Sequence, residues 1–181
     1  MQQRKFSAIW CYLGTFLGKG LEPSLGRIVA TGVKGISVDT GYHAGMLLLP
    51  HNPQTKIRFL EDGAICFAPQ DKDFRRSPVR PRVSMPAQDR DPLDITCRAA
   101  ERQGLDVVGW TICTHNGYLE ALHRDKVVLN IFGDPLLYAL CPAHLEVQQY
   151  LQNLLVALNH YPLRSLRLES CGYMGFPHGY H

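Results

Sequence analysis

The sequence has no long hydrophobic run: no stretch reaches the roughly 18 apolar residues that a membrane-spanning helix requires. Charge is also sparse, because charged residues make up 19% of the chain and the net charge is only +3. That balance is too mild to indicate nucleic acid or an anionic membrane as a partner. We therefore expect a protein that binds neither.

The six cysteines form no CxxC pair, so the sequence lacks the usual zinc-site and dithiol motifs. Several lie inside apolar runs, which predicts small buried thiols and favours a reducing, cytoplasmic location. The N-terminus places Arg4 and Lys5 before an apolar stretch, as signal peptides do, but no small-x-small cleavage site follows. We interpret that stretch as the first strand.

The length and composition are typical of a single globular domain: the chain has 181 residues, of which 45% are hydrophobic. Short apolar or β-branched segments predict strands, and amphipathic segments between them predict helices. The predicted strands cover residues 7–13, 35–40, 105–114 and 163–169, and the predicted helices cover residues 22–32, 91–104 and 143–159. This alternation predicts an α/β fold with about four parallel strands.

Two long segments, 41–92 and 115–142, interrupt the alternation. In the first, residues 56–67 predict a β-hairpin that turns at Glu61-Asp62-Gly63, inserted after the second strand. The proline-rich and arginine-rich stretch 69–92 predicts a solvated loop, because prolines at this density resist helix and central strand.

Both long segments follow a strand and precede the next helix, and no GxGxxG pattern follows the first strand. Functional loops of a (β/α)8 barrel occupy that end of the strands. The arrangement therefore favours a barrel over a doubly wound nucleotide-binding sheet.

Several blocks of residues occur in order over nearly the whole chain. They are Gly35-Ile-Ser-Val-Asp39-Thr-Gly-Tyr-His43-Ala-Gly, Leu48-Leu-Pro-His51-Asn52-Pro, Gly109-Trp-Thr-Ile-Cys-Thr-His115-Asn116, Asn130-Ile-Phe-Gly133-Asp134-Pro, Tyr138-Ala-Leu-Cys141-Pro142, Leu168-Glu169-Ser170 and Gly172-Tyr-Met-Gly-Phe-Pro-His178-Gly-Tyr-His181. Together they resemble the N-terminal half of bacterial glycoside-hydrolase-like TIM-barrel proteins. The resemblance implies a (β/α)8 fold and a carbohydrate substrate. We expect no cofactor.

A complete barrel needs about 250 residues and eight strands. With four predicted strands, residues 1–181 are expected to form the N-terminal portion of a TIM barrel, truncated after strand four. Open edge strands would expose apolar surface and unpaired backbone groups. We therefore expect a homodimer, or a separate chain that supplies the missing C-terminal half.

Glycoside cleavage usually requires two carboxyl groups. Glu169 is the first candidate because it ends the fourth strand, where, by the resemblance, many barrel glycosidases carry their acid/base. The alternative is a strand-end carboxylate that pairs with Arg167 or with solvent. Asp39, on the second strand, is the second candidate. If the nucleophile instead belongs to a strand absent here, the isolated chain is expected to be inactive.

Sugar hydroxyls require hydrogen-bonding groups, and sugar rings stack on aromatic side chains. Tyr42 and His43 follow the second strand, His115 and Asn116 follow the third, and Tyr173 follows the fourth. We expect these residues to bind substrate, with loop packing as the alternative for the histidines and Asn116. A non-catalytic carbohydrate-binding or interaction module, or a degenerate fragment, are the alternative functions.

Trp110, in the third strand, is predicted either as an aromatic platform or as a core residue. The HxxH pattern of His178 and His181 is too close to the end of the sequence to indicate a metal site, and we predict none.

Overall fold

The computed structural model describes residues 6–16, 20–50, 52 and 55–173, which contain both helices and strands. In chain order the elements are β1 (Ala8–Cys11), α1 (Leu13–Phe16), α2 (Leu21–Ala30), β2 (Gly35–Tyr42), β3 (Gly45–Leu48), β4 (Ile57–Leu60), β5 (Ala64–Ile65), β6 (Arg82–Val83), α3 (Met85–Asp89), α4 (Pro92–Arg102), β7 (Asp106–Ile112), α5 (Gly117–Leu122), β8 (Val127–Leu129), β9 (Pro135–Leu140), α6 (Leu145–Leu158) and β10 (Ser165–Glu169). No helix in these ranges is long and apolar enough to cross a membrane.

Four strands, β1, β2, β7 and β10, lie side by side in that order and run parallel. They correspond to the four predicted strands, so the predicted α/β class and parallel direction are confirmed. β5 pairs antiparallel with the end of β2 and β6 runs parallel to β5, which makes the sheet mixed. Within the described ranges, no pairing joins β10 to β1. The sheet is therefore open there, and the described strands number ten rather than four.

The insertion after β2 contains a hairpin, but its strands differ from the predicted pair. β4 pairs with β3, whereas β5 turns away and joins the main sheet. The turn between β4 and β5 requires Gly63, because its φ is 64° and a Cβ there would lie 2.0 Å from Oδ1 of Asn116. The predicted pairing was wrong because Ala64 and Ile65 bury their apolar side chains against the main sheet.

The two segments predicted as long loops also contain regular structure. The proline-rich stretch includes β6 and the short helix α3. Pro86 lies in the first turn of α3, where a backbone N–H would have no acceptor within the helix, so proline is tolerated there. The second segment includes α5 and an antiparallel hairpin of β8 and β9. Elements this short contain too few residues to show a periodic pattern.

The hydrophobic core lies on one face of the sheet, under α2, α4 and α6. Its members from these helices are Leu25, Leu93, Cys97, Ala99, Ala100, Val147, Tyr150, Leu154, Ala157 and Leu158, and its members from the parallel strands are Ile36, Val38 and Val107. The three predicted helices are therefore confirmed as amphipathic elements that cover this face.

The other face of the sheet carries polar and aromatic side chains in two rows. Strand register places Trp10, Ser37, Val108 and Ser165 in one row across the four parallel strands. The next row toward the carboxyl ends contains Asp39, Trp110 and Arg167. A cleft of about 460 Å³ opens beside the first row, between β1 and β10.

Candidate active site

The carboxyl ends of the parallel strands gather most of the residues that the sequence indicated. β2 ends at Tyr42 and leads into His43, β7 leads into His115, and β10 ends at Glu169. Parallel strands place these ends at one edge of the sheet, which is the edge where ligands bind in α/β folds. The contacts described below join these residues into one cluster.

Glu169 is an exposed carboxylate held by one direct hydrogen bond. The indole Nε1–H of Trp110 donates to its Oε2 at 2.6 Å, and the backbone of Cys113 donates to the Glu169 carbonyl oxygen at 2.9 Å. Arg167, the partner that the alternative interpretation suggested, instead places its guanidinium 4.9 Å from the ring centroid of Trp10. The Glu169 side chain is thus oriented and open to solvent.

Asp39 differs from Glu169, because its side chain is only 1% exposed. The backbone N–H of Leu13 donates to Oδ1 at 2.5 Å, and the thiol of Cys66 donates to Oδ2 at 3.5 Å. Burial raises the pKa of Asp39 to about 7, although both hydrogen bonds and the nearby Arg58 guanidinium favour the ionised form. The group therefore titrates near neutral pH, beside a cavity of about 40 Å³.

Tyr42 lies close enough to both carboxyl groups to feel their charges. Its ring packs edge-on against Trp110 at 4.9 Å and against Tyr12 at 5.4 Å. Burial raises the pKa of Tyr42 above its ordinary value, a hydrogen bond with Tyr12 adds to the rise, and the negative charges of Glu169 and Asp39 contribute further. One phenol is therefore within electrostatic reach of both candidate acids.

A row of rings continues from Tyr42 across the strand ends. His43 lies 4.1 Å from Tyr42 and stacks on His115 at 4.6 Å with an interplanar angle of 18°. His115 in turn lies 5.9 Å from the ring of Tyr138, whose φ is 68°. The Nδ1 atom of His43 lies 2.7 Å from the carbonyl oxygen of Ala44. The two predicted histidines therefore meet in space.

The two tryptophans form a second aromatic pair on the same side of the sheet. Trp10 stacks on Trp110 with ring centroids 4.9 Å apart and an interplanar angle of 21°. Trp110 is buried, whereas Trp10 is 55% exposed. Of the two predicted roles of Trp110, the structure favours burial, and Trp10 is the more accessible ring, with the Arg167 guanidinium 4.9 Å from its centroid.

Asn116 and Tyr173 occupy different environments. Asn116 is the N-cap of α5: its Oδ1 accepts the N–H of Leu119 at 2.9 Å, and its Nδ2 donates to the Gly63 carbonyl at 3.3 Å. Its amide is therefore committed to internal bonds, which gives it a loop-shaping role, the alternative that the sequence left open. Tyr173 is exposed, and its hydroxyl lies 3.9 Å from Sγ of Cys141.

Several members of the cluster were missed by sequence reasoning. Tyr12 directly follows β1, so the rule that selected residues after the other three strands would have found it. Trp10 was recognisable as the aromatic residue that alternates with core positions in β1. Arg58 and Cys66 had no such signal, because the folding of the insertion brings them to Asp39.

Some residues named in the sequence analysis lie outside the described residues, among them Arg4, Lys5, His51, Phe176, His178 and His181. Within the described ranges, no group of three His, Cys, Asp or Glu side chains converges as metal ligands would.

No family model matches the chain, and no curated protein matches it. Solved structures do match. A hypothetical protein from Ruminiclostridium thermocellum aligns with a TM-score of 0.68 at 12% identity, over 92% of this chain and 78% of that one. A noncanonic maltogenic α-amylase, AmyB from Thermotoga neapolitana, aligns with a TM-score of 0.59 at 11% identity, over 98% of this chain and 42% of that one.

An α-galactosidase from Thermus thermophilus, TtGalA, solved with p-nitrophenyl α-D-galactopyranoside, aligns with a TM-score of 0.52 at 16% identity. The alignment covers 93% of this chain and 31% of that one. This chain thus spans less than half the length of either glycosidase. At these identities the likeness shows the fold alone: a mixed α/β fold with a parallel-strand sheet, compatible with part of the fold of these two glycosidases.

Proposed function

We propose that the chain acts on carbohydrate and hydrolyses O-glycosidic bonds, with Glu169 as the general acid/base. The observation that carries this proposal is the exposed Glu169 carboxylate at the end of β10, held at 2.6 Å by the Trp110 indole. In barrel enzymes, residues at the carboxyl ends of strands perform the chemistry. The fold likeness to an α-amylase and an α-galactosidase supports the same class of substrate.

In this mechanism, protonated Glu169 gives its proton to the glycosidic oxygen while the bond to the anomeric carbon breaks. The second carboxyl group of such a reaction acts as nucleophile or as the base that activates water. Asp39 is the second group in our proposal. Because both its oxygens are engaged, Asp39 must release its weak thiol contact with Cys66, at 3.5 Å, before one oxygen can act.

Substrate binding in this proposal uses the rings around Glu169. Trp10 and Tyr173 are exposed aromatic residues on which a sugar ring can stack, and at Trp10 the sugar would displace the Arg167 guanidinium from the ring. The edges of His43 and His115, together with the hydroxyl of Tyr42, supply hydrogen-bonding groups for sugar hydroxyls. These side chains belong to different strands or to the segments that follow them, so one sugar can contact residues of several strands at once.

The direct test is hydrolysis of a panel of aryl α- and β-glycosides by the wild-type chain and by Glu169→Gln. Loss of the acid/base is expected to lower the rate at least about a hundredfold, because general acid catalysis contributes roughly 10²–10⁴. The matched control is Glu101→Gln, which removes an exposed carboxylate from α4, away from the strand ends. Equal rates for wild type and Glu169→Gln would remove Glu169 from the mechanism.

A non-catalytic carbohydrate-binding module is the second candidate, and the burial of Asp39 favours it. A carboxyl group that is 1% exposed and bonded at both oxygens is poorly placed to attack a sugar. Titration calorimetry with the same sugars distinguishes the two functions. Binding that Trp10→Ala weakens about tenfold, without turnover of any aryl glycoside, would support the binding module over the hydrolase.

A further inference from the structure

Two cysteines that are far apart in sequence lie close together beside the candidate active site. Cys113 directly follows β7 and Cys171 lies two residues beyond β10, and their Sγ atoms are 3.5 Å apart. Backbone bonds hold the two segments in register: Cys113 donates to the Glu169 carbonyl and Thr114 to the Ser170 carbonyl, both at 2.9 Å. A disulfide requires the sulfurs to approach to about 2.05 Å. Side-chain rotation and a small backbone adjustment can supply that movement.

The two thiols differ in accessibility, which gives them different roles. Cys171 is exposed, whereas Cys113 is buried. Burial raises the pKa of Cys113 to about 12, and the neighbouring Cys171 adds to the rise. An oxidant in solution therefore reacts with Cys171 first. Cys113 then lies close enough, inside the protein, to react with the oxidised Cys171 sulfur.

We propose that Cys113 and Cys171 form a reversible intramolecular disulfide, with a low-molecular-weight disulfide as the oxidant. The Cys171 thiolate attacks one sulfur of the oxidant, forms a mixed disulfide and releases one thiolate. The Cys113 thiol then loses its proton to solvent and attacks the Cys171 sulfur, which releases the second thiolate. Two protein thiols are oxidised and one small disulfide is reduced to two thiols, so atoms and electrons balance.

The bond would act on the segment that carries Glu169. Ser170, between Glu169 and Cys171, has a φ of 53°, in the left-handed region that non-glycine residues adopt at a cost. Its carbonyl accepts the Thr114 hydroxyl at 2.6 Å. Disulfide formation ties this strained turn covalently to the end of β7. An effect on catalysis rests on the proposed function, whereas disulfide formation does not.

The test is to incubate the full chain with oxidised glutathione and then count free thiols under denaturing conditions. We expect the count to fall from six to four, the intact mass to fall by two hydrogens, and one peptide pair to join Cys113 to Cys171. Dithiothreitol should restore all six thiols. Six free thiols after oxidation, or a bond between another pair, would overturn the proposal.

Three variants separate the steps. Cys113→Ser should stop at a stable glutathione adduct on Cys171, and Cys171→Ser should form no intramolecular bond. The matched control is Cys141→Ser, since Cys141 lies in the same region, 3.9 Å from the Tyr173 hydroxyl, and should leave the Cys113–Cys171 bond unchanged. An intramolecular disulfide in Cys171→Ser would contradict the proposal even if the chain showed no glycosidase activity.

Discussion

At the scale of single residues, Asp39 and Glu169 show how one strand edge creates two different carboxyl groups. Asp39 is buried, with the Leu13 N–H and the Cys66 thiol bonded to its oxygens, and burial favours its protonated form. Glu169 ends an edge strand and keeps its contact with solvent. In the proposed mechanism Asp39, whose protonated form is favoured by burial, must therefore lose its proton before it can act as nucleophile or base.

The raised pKa of Asp39 predicts a specific pH dependence of stability. Its pKa is about 7 in the folded chain, against an ordinary value of 3.8, so between these values the folded state binds more protons than the unfolded state. The stabilisation from this group is therefore complete below the unfolded pKa and is lost as pH rises through the folded pKa.

We expect the wild-type chain to lose about 2–3 kcal/mol of unfolding free energy, relative to Asp39→Asn, between about pH 5 and about pH 8. Urea unfolding of both proteins at the two pH values measures this difference. Both proteins contain the same other titrating groups, so the contributions of those groups cancel in the comparison. Asparagine also keeps an oxygen that can accept the Leu13 N–H. A difference that stays constant with pH would show that Asp39 titrates at its ordinary pKa.

At the scale of elements, the predictions that rest on local sequence, such as a helix cap, agree with the structure, whereas the predicted pairing of distant strands does not. The helix 91–104 was predicted from its early acidic residues, the late Arg98 and Arg102 and its final glycine, and α4 begins and ends within two residues of those limits. Asp91 is the reason: its Oδ1 accepts the N–H groups of Leu93 and Asp94, both at 3.0 Å. The predicted hairpin pairing of residues 56–67 was wrong because strand pairing depends on distant partners, which the local sequence does not show.

The cap of α4 gives the second prediction. Asp91 also accepts hydrogen bonds at Oδ2 from the Ala68 backbone at 3.1 Å and from the Tyr161 hydroxyl. We therefore expect Asp91→Ala to lower the free energy of unfolding by about 2–3 kcal/mol, more than a cap alone contributes. Thermal or urea unfolding measures the change.

Asp94→Ala serves as the control for this prediction. Asp94 lies in the first turn of the same helix. Within the described residues, its carboxylate forms one ion pair, with the exposed Arg98 at 2.9 Å. Its loss should cost less than about 1 kcal/mol. Equal effects of the two substitutions would mean that the Oδ2 contacts of Asp91 contribute nothing.

At the scale of the whole molecule, the helices cover one face of the sheet, and α6 supplies much of the packing. Leu154 is 1% exposed and belongs to the core, whereas Leu145, at the start of the same helix, is 79% exposed. We expect Leu154→Ala to lower the free energy of unfolding by about 2–5 kcal/mol and Leu145→Ala by less than about 0.5 kcal/mol. Chemical unfolding tests both, and similar losses would place α6 away from the core.

The sequence predicted where the four parallel strands lie along the chain, but it did not predict the three-dimensional path of the segments between them. Alternating patterns located β1, β2, β7 and β10, and the rule that parallel strands end at one edge brought Tyr42, His43, His115 and Glu169 together. The contacts of Asp39 with Cys66 and Arg58 arise from the insertion, whose path no periodicity predicts. Completion of the open sheet by a second copy or another chain stays a prediction.

The stacked indoles have a practical consequence. Trp10 and Trp110 are the two tryptophans of the chain, their ring centroids are 4.9 Å apart, and Trp110 bonds to Glu169. Intrinsic tryptophan emission therefore comes wholly from this stacked pair beside Glu169, the residue of the proposed sugar site, and two indoles in such contact should give an exciton couplet in circular dichroism. The molecule thus carries its own optical reporter, and ligand screening needs neither a dye nor a label.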